Sequence, residues 1–151
     1  MSRPKLMIWA VRASLLYLAL GITFGSLLLF HKGIPYAPGA WRLLPAHIDL
    51  VLLGAMTQFV FAIAFGIFPR FRTEPRRGNE KLAWGALILL NLGVWMTAFS
   101  PYSGLWAGNL LLAGRVLEAA GVLAFLIHAW PRVREVVIIL REKAPDQGEA
   151  Q

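Results

Sequence analysis

The chain has 151 residues, enough for one domain, and is 58% hydrophobic with a mean hydropathy of +0.60. Only 15% of residues are charged, against about 25% in soluble domains, and the apolar residues run in long blocks; this excludes an ordinary soluble enzyme and indicates an integral membrane protein. The net charge of +7 lies between and after those blocks, as topology signals do and nucleic-acid surfaces do not, and the lack of cysteine excludes disulfides, cysteine-ligated clusters and covalently attached c-type haem.

The first expected span covers residues 13–30, preceded by Arg3, Lys5 and Arg12. A basic start before an apolar run has the outline of a signal peptide. This run is longer than a typical signal core and no small-x-small cleavage site clearly follows it, so it reads as a retained span. Gly21 and Gly25 form a small-xxx-small pair that lets another helix approach closely. His31 and Lys32 end the span, and the Pro- and Gly-containing loop HKGIPYAPGAWR follows.

The second span, 45–68, is the one the chain is organised around. Pro38 starts its helix and leaves Pro45 as an internal kink, or Pro45 is itself in the first helical position. The choice sets the depth of His47. At helical spacing His47, Val51, Gly54, Gln58, Ala62 and Phe65 share one face, with Asp49 on another. An imidazole, a glycine and an amide on one face of a membrane helix form a candidate site, because hydrocarbon penalises polar groups. His47 reads either as a rim histidine bonded to a loop or headgroup, or as an axial ligand for haem iron, with Gly54 opening a flat slot beside it.

After the basic loop PRFRTEPRRGNEK, the third span covers 82–99, with Asn91 and Thr97 inside. The loop SPYSGLWAGN carries no basic residue. The fourth span, 105–130, contains Arg115 and Glu118 at i, i+3, the most costly residues in the chain to bury. They form a mutually satisfied ion pair that locks packing, or Arg115 holds an anionic group and Glu118 lies on a proton path. Gly114, Gly121 and His128 share a face, with His128 near the end opposite His47. A membrane-surface helix over 132–143 and a polar tail over 144–151 complete the expected layout.

Lys and Arg divide twelve to two: Arg3, Lys5, Arg12, Arg70, Arg72, Arg76, Arg77, Lys81, Arg132, Arg134, Arg141 and Lys143 against Lys32 and Arg42. The fold class is therefore all-α, a four-transmembrane-helix bundle in a cell inner membrane with both termini cytoplasmic. No phosphate loop, zinc spacing or serine nucleophile elbow is present.

Arg42, Pro45 and His47, the apolar helix with its glycine, and the exit through Phe68, Pro69 and Arg70 resemble the second transmembrane helix of the haem–copper oxidase superfamily catalytic subunit. The similarity is greatest to C-family cytochrome oxidases and bacterial nitric oxide reductases, over roughly residues 15–71. The resemblance implies b-type haem ligated by His47, with Gly54, Gln58 and Arg115 around the cofactor and Glu118, His128 and His31 as further candidates. It implies electron transfer, or sensing or handling of a diatomic gas, with a redox partner. Family catalytic subunits are built of three four-helix arcs about a pseudo-threefold axis. This chain has four spans and nothing matching the copper-ligand helices, so one chain holds no complete oxidase site, and a homotrimer would resemble the whole subunit. The alternatives are a non-enzymatic packing or assembly subunit joined to a respiratory complex through the glycine seams of spans one and four, and, behind it, a small transporter lined by Glu118, Arg115 and Gln58.

Overall fold

The computed structural model describes residues 5–71 and 75–143, with side chains as far as Arg134. Every element among them is helical. Four helices are long and apolar enough to cross a membrane, which makes this a multi-pass membrane protein.

Helix α1 spans Lys5–Gly33 and α2 Ala40–Ile67; α3 spans Glu80–Phe99 and α4 Ala107–Lys143. Each outlasts the apolar block that announces it. Lipid compatibility ends at the first charges, whereas the backbone stays helical until something breaks it. Gly33 and Pro35 stop α1, Pro69 follows α2, and Ser100 and Pro101 follow α3. Asn79 caps α3, its side-chain oxygen accepting from the Leu82 amide at 3.3 Å.

Two boundaries depart from expectation. Pro45 lies in the first turn of the α-helical stretch Leu43–Asp49, just after the 3₁₀ turn Ala40–Arg42, so His47 sits about one turn into that stretch and two turns into α2. The separate surface helix over 132–143 is corrected: α4 runs unbroken through Pro131 to Lys143. The tail 144–151 lies outside the described residues.

Helix α2 is not uniform. A 3₁₀ turn, Ala40–Arg42, leads into Leu43–Asp49; the ladder then widens to π geometry over Leu50–Thr57 and returns to α over Gln58–Ile67. Thr57 Oγ1 follows the wider period, donating to the Leu52 carbonyl five residues back at 2.9 Å. Such segments are uncommon and cluster at functional sites. This one separates His47 and Asp49 from Gln58.

Helices α2 and α3 are the more buried pair, with α1 packed on the first and α4 on the second. Glycines set both contacts. A Cβ on Gly21 would stand 2.6 Å from Val51, and one on Gly25 2.6 Å from His47. Gly93 and Gly114 face each other across α3 and α4, and Gly121 lies against Ala86 and Leu90. Gly21, Gly25, Gly114 and Gly121 of spans one and four thus face neighbouring helices inside the bundle. The shared face of α2 holds: Val51 and Gly54 meet α1, as do His47 and Gln58. Leu6, Phe65, Ala83 and Ala129 share one cluster, so the start of α1, the end of α2, the start of α3 and the late part of α4 meet at one end, the basic one.

Candidate functional site

The three histidines differ in which ring nitrogen remains available. His47 Nδ1 lies 2.7 Å from the Gly21 carbonyl of α1. A carbonyl only accepts, so Nδ1 donates and the lone pair falls on Nε2. Nε2 has no hydrogen-bond partner among the described residues and is not sealed from its surroundings. A metal-ligating histidine has this form, with one nitrogen held by a backbone acceptor and the other open.

Neither other histidine has it. His31 Nδ1 accepts from the Tyr36 amide at 3.2 Å, which puts the ring proton on Nε2, and the ring packs edge-on to Tyr36 and Trp41. His128 Nδ1 donates to the Asn79 carbonyl at 3.1 Å, while Nε2 lies 3.5 Å from Arg132 Nη1, so both of its nitrogens are engaged. His31 and His128 thus lack the open lone pair that His47 presents.

The expected surroundings of His47 also change. Gly54 opens no slot for a cofactor, because the Tyr17 ring fills the space, 2.8 Å from where a Cβ would be. Gln58 is fully buried, its Oε1 accepting from Asn91 Nδ2 at 2.8 Å and its Nε2 donating to the Ala10 carbonyl at 3.3 Å. Eleven residues from His47, it stands roughly 16 Å along the helix. Arg115 is committed too. Its Nη1 donates to Asp49 Oδ1 at 2.7 Å and to Glu118 Oε2 at 2.9 Å, and its Nη2 donates to Asp49 Oδ2 at 3.2 Å. Two carboxylates on one guanidinium leave no positive excess for a propionate, and Asp49 lies off the His47 face. The ion-pair reading of Arg115 and Glu118 is the one realised, with Asp49 as a third member and Thr97 Oγ1 3.0 Å from Glu118 Oε1.

What adjoins His47 is a groove of about 220 Å³ between α1 and the start of α2, lined by Gly25, Leu28, Leu29, Trp41 and Leu44, with Lys32 beside them. The donor nitrogen and apolar walls fit an iron-bound macrocycle at its edge. The volume falls below the roughly 300–1,000 Å³ that encloses a drug-sized ligand, so a whole haem would extend beyond this chain's own groove.

Four features escape a reading of the sequence. Gly25 is the floor under His47. Asp49 is the carboxylate partner of Arg115, and its need for a cation inside a span was the available signal. Tyr17 donates to Asn91 Oδ1 at 2.6 Å, joining α1, α2 and α3 through Gln58. Arg132, expected at the membrane surface, is buried, donating to the carbonyls of Phe65, Phe68 and Pro69 at the end of α2.

Among the described residues, no group of three or more His, Cys, Asp or Glu side chains forms a metal cage. No family model, curated protein or solved structure matches this chain.

Proposed function

We propose that this chain is a haem-binding, four-pass protein of a cell inner membrane, resembling one arc of an oxidase catalytic subunit, that carries b-type haem on His47 for electron transfer or for sensing or handling a diatomic gas. The observation that carries the reading is the state of His47. It is the histidine whose Nδ1 proton is held by a backbone carbonyl while Nε2 stays open beside an apolar groove. The Gly21 carbonyl fixes the ring's tautomer and orientation and raises the basicity of Nε2. Leu28, Leu29, Leu44 and Trp41 give the groove apolar walls, and Lys32 beside them would take the propionate role first considered for Arg115. Haem, when bound, supplies one-electron or gas-binding chemistry that no side chain here supplies.

The twelve-to-two division of basic residues supports cytoplasmic termini, and with them an outer-half position for His47. The small groove supports association: a second and third copy would cover the part of the macrocycle that one chain leaves exposed.

Absorption spectra of the purified protein, air-oxidised and dithionite-reduced, test the reading. A Soret band that persists in His31→Ala and His128→Ala and disappears in His47→Ala is expected. Colourless protein after expression with ample haem overturns it. Native mass spectrometry finding monomer alone removes the trimer while leaving the ligand assignment in place.

A further inference from the structure

We propose that the concavity at the basic end of the bundle binds a phosphate-bearing anion, with the headgroup of an acidic phospholipid as its source. The concavity measures about 730 Å³ and lies where the loop after α2 meets the start of α3. Arg70, Arg77 and Lys81 line it, and Glu80 is the one acidic residue among its described lining. Arg76, which has an interaction of its own, also lines it.

A topology signal requires only that basic residues lie at one end; it does not require them to converge. Here they do, with Glu80 as the one acidic residue among the described lining. The guanidinium of Arg77 stands 5.9 Å from the Phe65 ring centroid, and that of the buried Arg132 stands 5.5 Å from the same ring. Among the described residues, no carboxylate lies within ion-pair distance of Arg70, Arg77, Lys81 or Arg132. Cations gathered on one concavity repel, and an anion in it would relieve the repulsion. Leaving Arg76 uncounted, three cations outweigh Glu80 and favour an anionic ligand.

The chemistry of the lining selects phosphate. Guanidinium forks match phosphate oxygens two at a time, and lysine adds a point charge. The position selects the lipid source. Residues between Ile67, where α2 ends, and Glu80, where α3 begins, lie at headgroup level if these helices span the bilayer. At the same end, α4 presents an apolar groove of about 390 Å³ formed by Leu126, Ile127, Trp130 and Pro131, a surface suited to an acyl chain. Basic pockets between spans bind acidic headgroups in this manner.

The test uses the full chain in nanodiscs of phosphatidylcholine, with and without phosphatidylglycerol or cardiolipin, read by lipid adducts in native mass spectrometry and by thermal stability. Wild type is expected to retain an acidic lipid under conditions that strip phosphatidylcholine. Arg70 and Lys81 are exposed, so R70Q/K81Q leaves the packing intact, and it should weaken retention about fivefold per removed cation. K5Q/R134Q removes the same charge at the same end outside the concavity and should retain the lipid. Equal loss in both double variants would reduce the effect to a diffuse field and overturn the site. Stabilisation of wild type, but not R70Q/K81Q, by inorganic phosphate alone keeps the site and changes its source. Indifference to both acidic lipid and phosphate rejects the proposal.

Discussion

Gly25 of α1 and His47 of α2 are fitted to each other: a Cβ on Gly25 would stand 2.6 Å from Cε1 of the imidazole and 2.9 Å from Nδ1. The ring can reach the Gly21 carbonyl one turn away because no side chain intervenes. Gly25→Ala should therefore displace the ring or part the helices and lower stability by about 1–3 kcal/mol, the usual range for overpacking. Gly85, with nothing within 4 Å of its would-be Cβ, supplies the comparison: Gly85→Ala should leave the unfolding midpoint in detergent unchanged or raise it. Equal effects at the two positions would contradict the close contact.

Asp49 and Glu118 share one guanidinium and are almost fully buried. Replacing Arg115 by Met strands both carboxylates. Removing one partner of a buried pair costs about 3–5 kcal/mol, and the Arg115 side chain is 45% exposed, which lowers the expectation to about 2–3 kcal/mol. D49N/R115M/E118Q strands no charge and should recover most of the loss. Denaturant unfolding of the two variants checks this; a triple variant no more stable than R115M would mean the charges are not what Arg115 stabilises.

The two networks show what a sequence makes legible and what it does not. The four spans are written in long apolar blocks, and His47 stands out because imidazoles are rare within them. The face carrying His47, Val51, Gly54 and Gln58 follows from helical period, and the π segment does not turn it away from α1. Period gives faces, however, and not partners. Asp49 and Arg115 are 66 residues apart, and nothing local joins them. Gly54 fits a cofactor slot equally well as a seat for an aromatic ring until Tyr17 is found in it. A proline at 131 in the sequence suggests a boundary and a surface position for Arg132, but the helix continues through it and carries that side chain inward.

Tyr17, Asn91 and Gln58 form a chain of side-chain bonds across three helices. Tyr17→Phe removes one hydroxyl at the edge of the chain. Such bonds between membrane helices average about 0.6 kcal/mol and reach about 1.7, so the loss should fall in that interval. Asn91→Leu is harsher, since it deprives both the Tyr17 hydroxyl and Gln58 Oε1 of their partner, and stranded buried groups cost about 1–3 kcal/mol each. The ordering, Asn91→Leu well below Tyr17→Phe, is the expectation, read from thermal unfolding in one detergent. Reversed order would mean that the Tyr17 hydroxyl contributes more than both bonds of Asn91, and that Asn91 is not the centre of the chain.

Arg132 closes the end of α2. The last carbonyls of a helix lack intrahelical donors, and here Arg132 reaches three acceptors around that end: Phe65 and Phe68 through Nη2 at 3.2 and 2.7 Å, and Pro69 through Nε at 3.0 Å. Its charge also lies at the negative end of the helix dipole, which offsets part of the cost of burial without a carboxylate. Two substitutions separate these contributions. Arg132→Met removes charge and donors together, leaving the carbonyls unmet in a buried setting, and should cost about 2–4 kcal/mol given about 1.5–3 kcal/mol for a hydrogen bond to a charged group. Arg132→Lys keeps the charge but replaces the planar fork with a single ammonium that cannot span Phe65 to Pro69. If the fork matters, Lys should recover less than half of the loss, and hydrogen exchange at the end of α2 should be faster than in wild type. Full recovery by Lys would assign the stabilisation to the dipole alone, with the three carbonyl bonds contributing nothing measurable.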